Sequence, residues 1–153
     1  IGWIVHRQAV LYSQEYGWDN RFEALIAHIG AQFIERFDPQ REACWLAQRG
    51  SDVVGSVFLV RRSATVGQLR LLYVEPSARG QGVGDQLVQA CIDRASEIGY
   101  RRLMLWTNDI LGAARRIYER KGFVKVSEER HTSFGHELVG QNWVLALRRP
   151  VSG

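Results

Sequence analysis

Gly80, Gly82 and Gly84 stand at alternate positions between a strand-like run that ends at Glu75-Pro76 and a long amphipathic segment. Glycine lets the backbone take conformations that other residues resist and lets it come close to a ligand. The amides of such a turn, together with those of the helical turn behind it, converge on one point where the helix dipole adds partial positive charge. Arg79-Gly80-Gln81-Gly82-Val83-Gly84 therefore reads as a cradle for a phosphate or pyrophosphate. Two common phosphate motifs do not fit it. The dinucleotide fingerprint G-x-G-x-x-G needs a third glycine where Asp85 stands, and this loop lies mid-chain, not after a first strand. The P-loop needs a Lys and a Ser or Thr after its last glycine, and no Lys follows here. A glycine-rich turn with no ligand is the plain structural alternative.

The elements that position this loop follow from periodicity. Residues 2–6 read as a short strand, followed by a helix from Arg7 to about Tyr16 that ends at Gly17. Asn20-Arg21-Phe22-Glu23 fits a capping box, with Asn20 accepting from the Glu23 amide. The helix behind it carries Phe22, Leu25, Ile26, Ile29, Phe33 and Phe37 at helical spacing and stops at Asp38-Pro39. Strands are expected over 43–49 and 53–61, joined by the hairpin residues Gly50-Ser51-Asp52, and a further one over 68–74. A helix over 82–98 presents Val83, Leu87, Val88, Cys91, Ile92 and Ala95 on one face, with Gly99 past its end. Residues 102–107 read as a buried strand, 111–121 as a short helix, and 123–128 and 142–148 as strands. The expected architecture is a single α/β (α+β) domain: a mixed, mostly antiparallel sheet of about seven strands with helices on both faces.

Composition narrows the setting. The 153 residues are 46% hydrophobic and 24% charged, which suits one globular domain. No run approaches the roughly 18 apolar residues of a membrane span, and no basic lead precedes a secretory segment, so a cytoplasmic place without membrane contact is expected. Cys44 and Cys91 stand far apart, without a CxxC pair or clustered histidines, so neither a disulfide framework nor a metal site is expected. A net charge of +4 suits an anionic ligand. The arginines come only as pairs, Arg61-Arg62, Arg101-Arg102, Arg115-Arg116 and Arg148-Arg149, so direct nucleic-acid binding by this segment is not expected. The first residue is not Met, and the chain reads as a piece of a longer protein; a homodimer is left open.

The loop matches the Gln/Arg-x-x-Gly-x-Gly/Ala signature through Arg79, Gly82 and Gly84. Before it runs Leu71-Leu72-Tyr73-Val74-Glu75-Pro76; after it come Asn108, then Ala114, Tyr118 and Gly122-Phe123. In these motifs and their order the chain resembles the GNAT superfamily of N-acetyltransferases over essentially its whole length. A nearer resemblance is to the acetyltransferase half of proteins that fuse a MarR-type winged-helix regulator to a GNAT domain. It rests on residues 2–7, on Glu15-Tyr16-Gly17-Trp18, on Leu105-Trp106-Thr107-Asn108-Asp109 and on residues 133–143. That resemblance implies a DNA-binding domain ahead of residue 1 and a part in transcription regulation.

The superfamily resemblance implies a sheet splayed between its fourth and fifth strands and acetyl-CoA as cosubstrate. Backbone amides of about Gln81 to Asp85 would hold the pyrophosphate, with Arg79, Gly80, Gly82, Val83 and Gly84 shaping the cradle. Leu72, Tyr73 and Val74 would pair with the pantetheine arm like an added strand, and an amide there would polarise the thioester carbonyl. Asn108 would bond the same arm. Tyr118 is the implied general acid, because a phenol with an ordinary pKa of about 10 can protonate a thiolate whose acid lies near about 8.5. Some members place a Glu on the fourth strand as base; the matching position here is Gln68, which cannot take a proton. A water relayed by Glu15, His6, His131 or His136 is the substitute. Without a strong base an α-amine, neutral in roughly one molecule of ten at pH 7, is easier to acetylate than a lysine, neutral in roughly one of a few thousand. A small, amino-acid-like amine is therefore expected as acceptor, with Trp18, Phe134, Trp143 and Arg70 as candidate lining and Arg70 as a carboxylate clamp. A protein or peptide acceptor, and a non-catalytic acyl-CoA sensor, are the alternatives.

Overall fold

The computed structural model describes residues 1–147. Two helices, α1 (Gly2–Tyr16) and α2 (Asn20–Arg36), precede the strands β1 (Ala43–Arg49), β2 (Asp52–Arg61) and β3 (Val66–Val74). Then follow α3 (Val83–Ile98), β4 (Arg102–Asn108), α4 (Gly112–Arg120), β5 (Val124–Ser133) and β6 (His136–Ala146). The strands form one six-stranded sheet in the order β1-β2-β3-β4-β6-β5. Every neighbouring pair is antiparallel except β3–β4, which is parallel.

Alternation along β2 divides the molecule into layers. Val57 and Leu59 point into the main core, where Leu87, Val88, Cys91 and Ala95 of α3 meet them. Phe58, between them, turns to the other face and packs edge-on against Phe33 of α2, ring centroids 4.9 Å apart. Helices α3 and α4 thus cover one face of the sheet and α1 and α2 the other, as its period-two pattern requires. No helix of the described residues is long and apolar enough to cross a membrane.

Three expectations are corrected. Residues 2–6 form no strand; they open α1, because Ile4 belongs to the same buried helical stripe as Gln8 and Leu11. A short apolar run is ambiguous by itself, and the sheet accordingly has six strands among the described residues instead of about seven. The cap of α2 is Asp19, whose carboxylate accepts from the Arg21 amide at 3.0 Å, while Asn20 is already helical. The last two strands are longer than expected and meet in a hairpin around Phe134-Gly135. β5 is an edge strand, exposed along most of its length, so its polar sequence hid it. The expected strand end at Arg148, and the Arg148-Arg149 pair, lie outside the described residues.

The parallel pairing of β3 with β4 covers only Val66↔Arg102, Gly67↔Leu103 and Gln68↔Met104. Beyond these the strands part. On its other side β3 carries a bulge: the register steps from Ser56↔Tyr73 to Phe58↔Arg70, so Val57 faces both Leu71 and Leu72. Leu71 takes φ 54°, a left-handed conformation that costs a residue with a Cβ about 1–2 kcal/mol. The buried Gln8 amide donates to the Leu71 carbonyl at 3.3 Å and so ties α1 to the bulge. Gln8→Leu leaves that carbonyl without its donor and is expected to destabilise the protein by about 1–3 kcal/mol. Urea denaturation checks this: the midpoint falls with an unchanged slope, whereas an unmoved midpoint would remove Gln8 as the support of the bulge.

Candidate active site

The divergence of β3 from β4 opens a cleft of about 650 Å³. Leu72, Tyr73 and Val74 form one wall, Leu111, Ala114 and Ile117 the other, and Leu11, Tyr12 and Tyr16 of α1 roof it. At one end lies the glycine loop. Gly80 and Gly82 take φ 77° and 79°, which L side chains rarely adopt. Gly84 is there for a different reason: a Cβ at this position would lie 2.6 Å from Ile117 Cδ1, so its absence lets α3 and α4 meet.

The first backbone bond of α3 runs from the Gln86 N–H to the Gly82 carbonyl at 3.0 Å, and no side chain caps the helix. The amides of Val83, Gly84 and Asp85 are therefore left without helical partners at the positive end of the dipole. Nearby charges are arranged around this point. Asp85 is paired with Arg120 at 2.8 Å, and Arg79 with Glu15 at 2.8 Å. The Gln81 side chain lies outside the cleft lining, accepting from Arg49 at 3.0 Å and donating to the Ser77 carbonyl at 3.4 Å. At the strand exit Arg7 binds Glu75 through two bonds of 2.5 and 2.8 Å and holds that carboxyl below the usual carboxylate range. Tyr73, pushed up to about 12 by burial and then by the Glu75 carboxylate, stays protonated.

A second cavity of about 170 Å³ adjoins the cleft under α1 and α2. The two share Tyr12, Leu72, Leu111 and Ala114. Tyr118, the one buried residue of α4, lines the second cavity, as do Asn108, Gln68, Arg70, Trp18 and Phe134. Burial first, then the neighbouring Tyr12, pushes the Tyr118 phenol well above its ordinary value. Burial also pushes Tyr12 up. Arg70 is half-buried, and burial followed by repulsion from Arg62 pulls its guanidinium below the ordinary value. Asn108 is buried, and its Oδ1 lies 3.1 Å from His131 Nε2, while His131 Nδ1 lies 2.8 Å from Ser133 Oγ. A carboxamide oxygen can only accept, so Nε2 carries a proton and donates to Asn108 Oδ1. The Asn108 NH2 then has no hydrogen-bond partner among the described residues.

The candidates for proton relay fare differently from one another. Glu15 is committed to Arg79, His131 to Asn108 and Ser133, and His136 donates to the Gly17 carbonyl at 2.9 Å. His6 is exposed on α1 and lines neither cavity. Trp143 is placed in the main core, its indole donating to Gln141 Oε1 at 3.1 Å, and it also lines neither cavity. Tyr12, at the wall common to both cavities, escaped the sequence reading, as did Arg116 and Arg120 on the cleft rim. The signals were an i,i+4 aromatic pair, Tyr12 and Tyr16, with rings 5.5 Å apart, and an i,i+4 arginine pair on α4. Among the described residues no group of three or more His, Cys, Asp or Glu side chains could hold a metal.

The chain matches the model of the acetyltransferase (GNAT) family over residues 9–123. It is 31% identical over 101 residues to a mycothiol acetyltransferase of Beutenbergia cavernae, an alignment covering 65% of this chain and 33% of that protein. The alignments span 28% to 50% of the length of three relatives, two mycothiol acetyltransferases and an uncharacterized N-acetyltransferase of Escherichia coli. Among solved structures it is similar to a ribosomal-protein-alanine N-acetyltransferase from Brucella melitensis, at TM-score 0.65, 20% identity, and 82% and 78% coverage of the two chains. It is also similar to a Bacillus subtilis acetyltransferase in complex with CoA, at TM-score 0.65, 20% identity, and 79% and 84% coverage.

The contact between α3 and α4 at Gly84 gives a direct check. Gly84→Ala is expected to cost about 1–3 kcal/mol by overpacking against Ile117. Ile117→Val removes the obstructing Cδ1 and should recover most of the loss in the double variant, measured by urea denaturation. Additive losses would show that another contact sets the need for glycine.

Proposed function

The chain belongs to the acetyltransferase (GNAT) family, and from that premise we propose that it moves the acetyl group of acetyl-CoA to the primary amine of a small, amino-acid-like molecule, by direct attack with Tyr118 as general acid. The observation that carries this reading is the meeting of two cavities at one wall: the long cleft that ends at uncapped helix amides, and the small pocket that holds Tyr118 and Asn108. A diphosphate-bearing thioester suits the first. Its pyrophosphate finds the Val83–Asp85 amides, the dipole of α3, and Arg116 and Arg120 on the rim. The edge of β3 past Gln68, which β4 does not pair, offers N–H and C=O groups to an extended amide chain, and the Asn108 NH2 offers a donor beside it.

The chemistry assigned to this chain's residues is limited in number. An amide of the Leu72–Val74 edge polarises the carbonyl under attack. Burial keeps the Tyr118 phenol protonated and also makes it a weaker acid than a free phenol, so in this reading it gives its proton only as full charge develops on the departing sulfur. No carboxylate lines the small pocket and Gln68 cannot act as base, so the amine arrives neutral, which favours an α-amine over a lysine. A protein N-terminus is the second reading, supported by the likeness to the ribosomal-protein-alanine acetyltransferase; the pocket's 170 Å³ favours the small acceptor. The proposal extends to a cytoplasmic setting and to a fused MarR-type DNA-binding domain, supported by the stretches at 15–18 and 133–143; a purely acyl-CoA-sensing role is the form it takes if no amine reacts.

Acetyl-CoA is expected to raise the Tm of the protein by binding the native state, and Gly82→Asp to abolish the rise by strain and repulsion. No shift at millimolar ligand removes the cofactor assignment. Tyr118→Phe is expected to lower thiol release by about 10²-fold or more with little change in acetyl-CoA affinity. The sign of the pH dependence follows from a phenol held above its ordinary value of 10.0: the acid form persists, so kcat/KM rises as the free amine deprotonates and kcat shows no alkaline fall below about pH 10. An alkaline limb near pH 8–9 that Tyr118→Phe removes would contradict this.

A further inference from the structure

Two polar groups of the small pocket have needs that the chain leaves unmet. Arg70 stands on β3 opposite Phe58, which places it on the sheet face covered by α1 and α2. Among the described residues no carboxylate pairs with its half-buried guanidinium, and the charge that acts on it is the like charge of Arg62. The indole Nε1–H of Trp18 is buried with no acceptor. A half-buried cation and a fully buried donor without partners are costly unless something else supplies the acceptor. Both line the same cavity.

The remaining walls say what that something looks like. Phe22, Ile26 and Ile29 line the pocket with the rings of Trp18 and Phe134, whose centroids lie 5.1 Å apart. No Asp or Glu is among the lining residues, so a polyamine or another multiply charged amine meets the positive charge of Arg70 with nothing to hold it. Resting on the acetyl-transfer reading, we propose that the acceptor is an α-amino acid with an apolar side chain. Its carboxylate pairs with Arg70, its side chain lies among Trp18, Phe22 and Phe134, and its α-amine faces the end lined by Tyr118 and Asn108. The amine nitrogen forms the new amide bond, the C–S bond of the thioester breaks, the sulfur takes a proton from Tyr118, and the proton lost by the amine passes to solvent, from which Tyr118 is reprotonated.

L-Phenylalanine and L-leucine are the probes. Phenethylamine, which keeps ring and amine but lacks the carboxylate, and spermidine are the comparisons. Thiol release from acetyl-CoA is expected to run with kcat/KM about 10- to 100-fold higher for the amino acids than for phenethylamine, and spermidine to be inert. Arg70→Gln should remove that preference through KM with kcat nearly unchanged, and Arg70→Lys should restore part of it. Equal use of phenethylamine or spermidine, or an unchanged KM in Arg70→Gln, overturns the proposal. Binding is followed separately by the Tm rise with each probe in the presence of CoA. An Arg70-dependent rise with L-phenylalanine but no thiol release keeps the amino-acid pocket and removes acetyl transfer. No rise with either amino acid removes the pocket assignment even where acetyl-CoA itself binds.

Discussion

β3 and β4 exchange backbone bonds only through Val66–Gln68 and Arg102–Met104, and the site is assembled in the gap that opens beyond. Parallel strands that stayed paired would leave neither a cleft nor a free strand edge. What holds them apart is local: the bulge at Leu71–Leu72, with Leu71 in a left-handed conformation, bends β3 away from its neighbour. The strain there is offset by α1, which reaches the strand twice, through the Gln8 amide on the Leu71 carbonyl and through Arg7 on Glu75. The helix that roofs the cleft thus also secures its wall, so binding geometry and stability rest on the same contacts.

Charge in the cleft is managed by pairing nearly everything except what a ligand must meet. Arg79 is matched by Glu15 and Asp85 by Arg120, which leaves the amides at the start of α3 unpaired, the anion site of the proposed reading. Backbone amides suit this task because they carry no side-chain entropy and are fixed by the helix they begin. In the adjoining pocket the balance is reversed: Arg70 remains without an anion, and Tyr118 without charge. In the proposed reading one cavity takes the phosphates of a carrier and the other serves proton transfer and a carboxylate.

The parts that could be read from the chain were contiguous ones. The strand exit, the glycine loop and the start of α3 follow one another from Leu72 to Asp85, and their conformations depend on residues a few positions apart. Gly99 and Gly17 end their helices in the left-handed region for the same local reason. The start of α2 was less legible: Asp19 and Asn20 can each cap a helix, and the choice lay in an extended backbone at Asp19 that its neighbours do not dictate. At residues 2–6 an apolar run compatible with either strand or helix was settled by the stripe that Ile4 shares with Gln8 and Leu11.

By itself the sequence determined the order of the central elements, the loop at 79–84 and the positions of Asn108 and Tyr118 relative to it, because helix period, strand period and glycine spacing are short-range properties. Only the tertiary structure decided which side chains were free to act. It set Trp18 and Phe134 around the small pocket and Trp143 in the core, engaged Glu15 with Arg79 and His131 with Asn108, and made Gly84 a matter of room for Ile117. Each of these outcomes turns on partners arriving from a distant part of the chain, and no local pattern records which partners those will be.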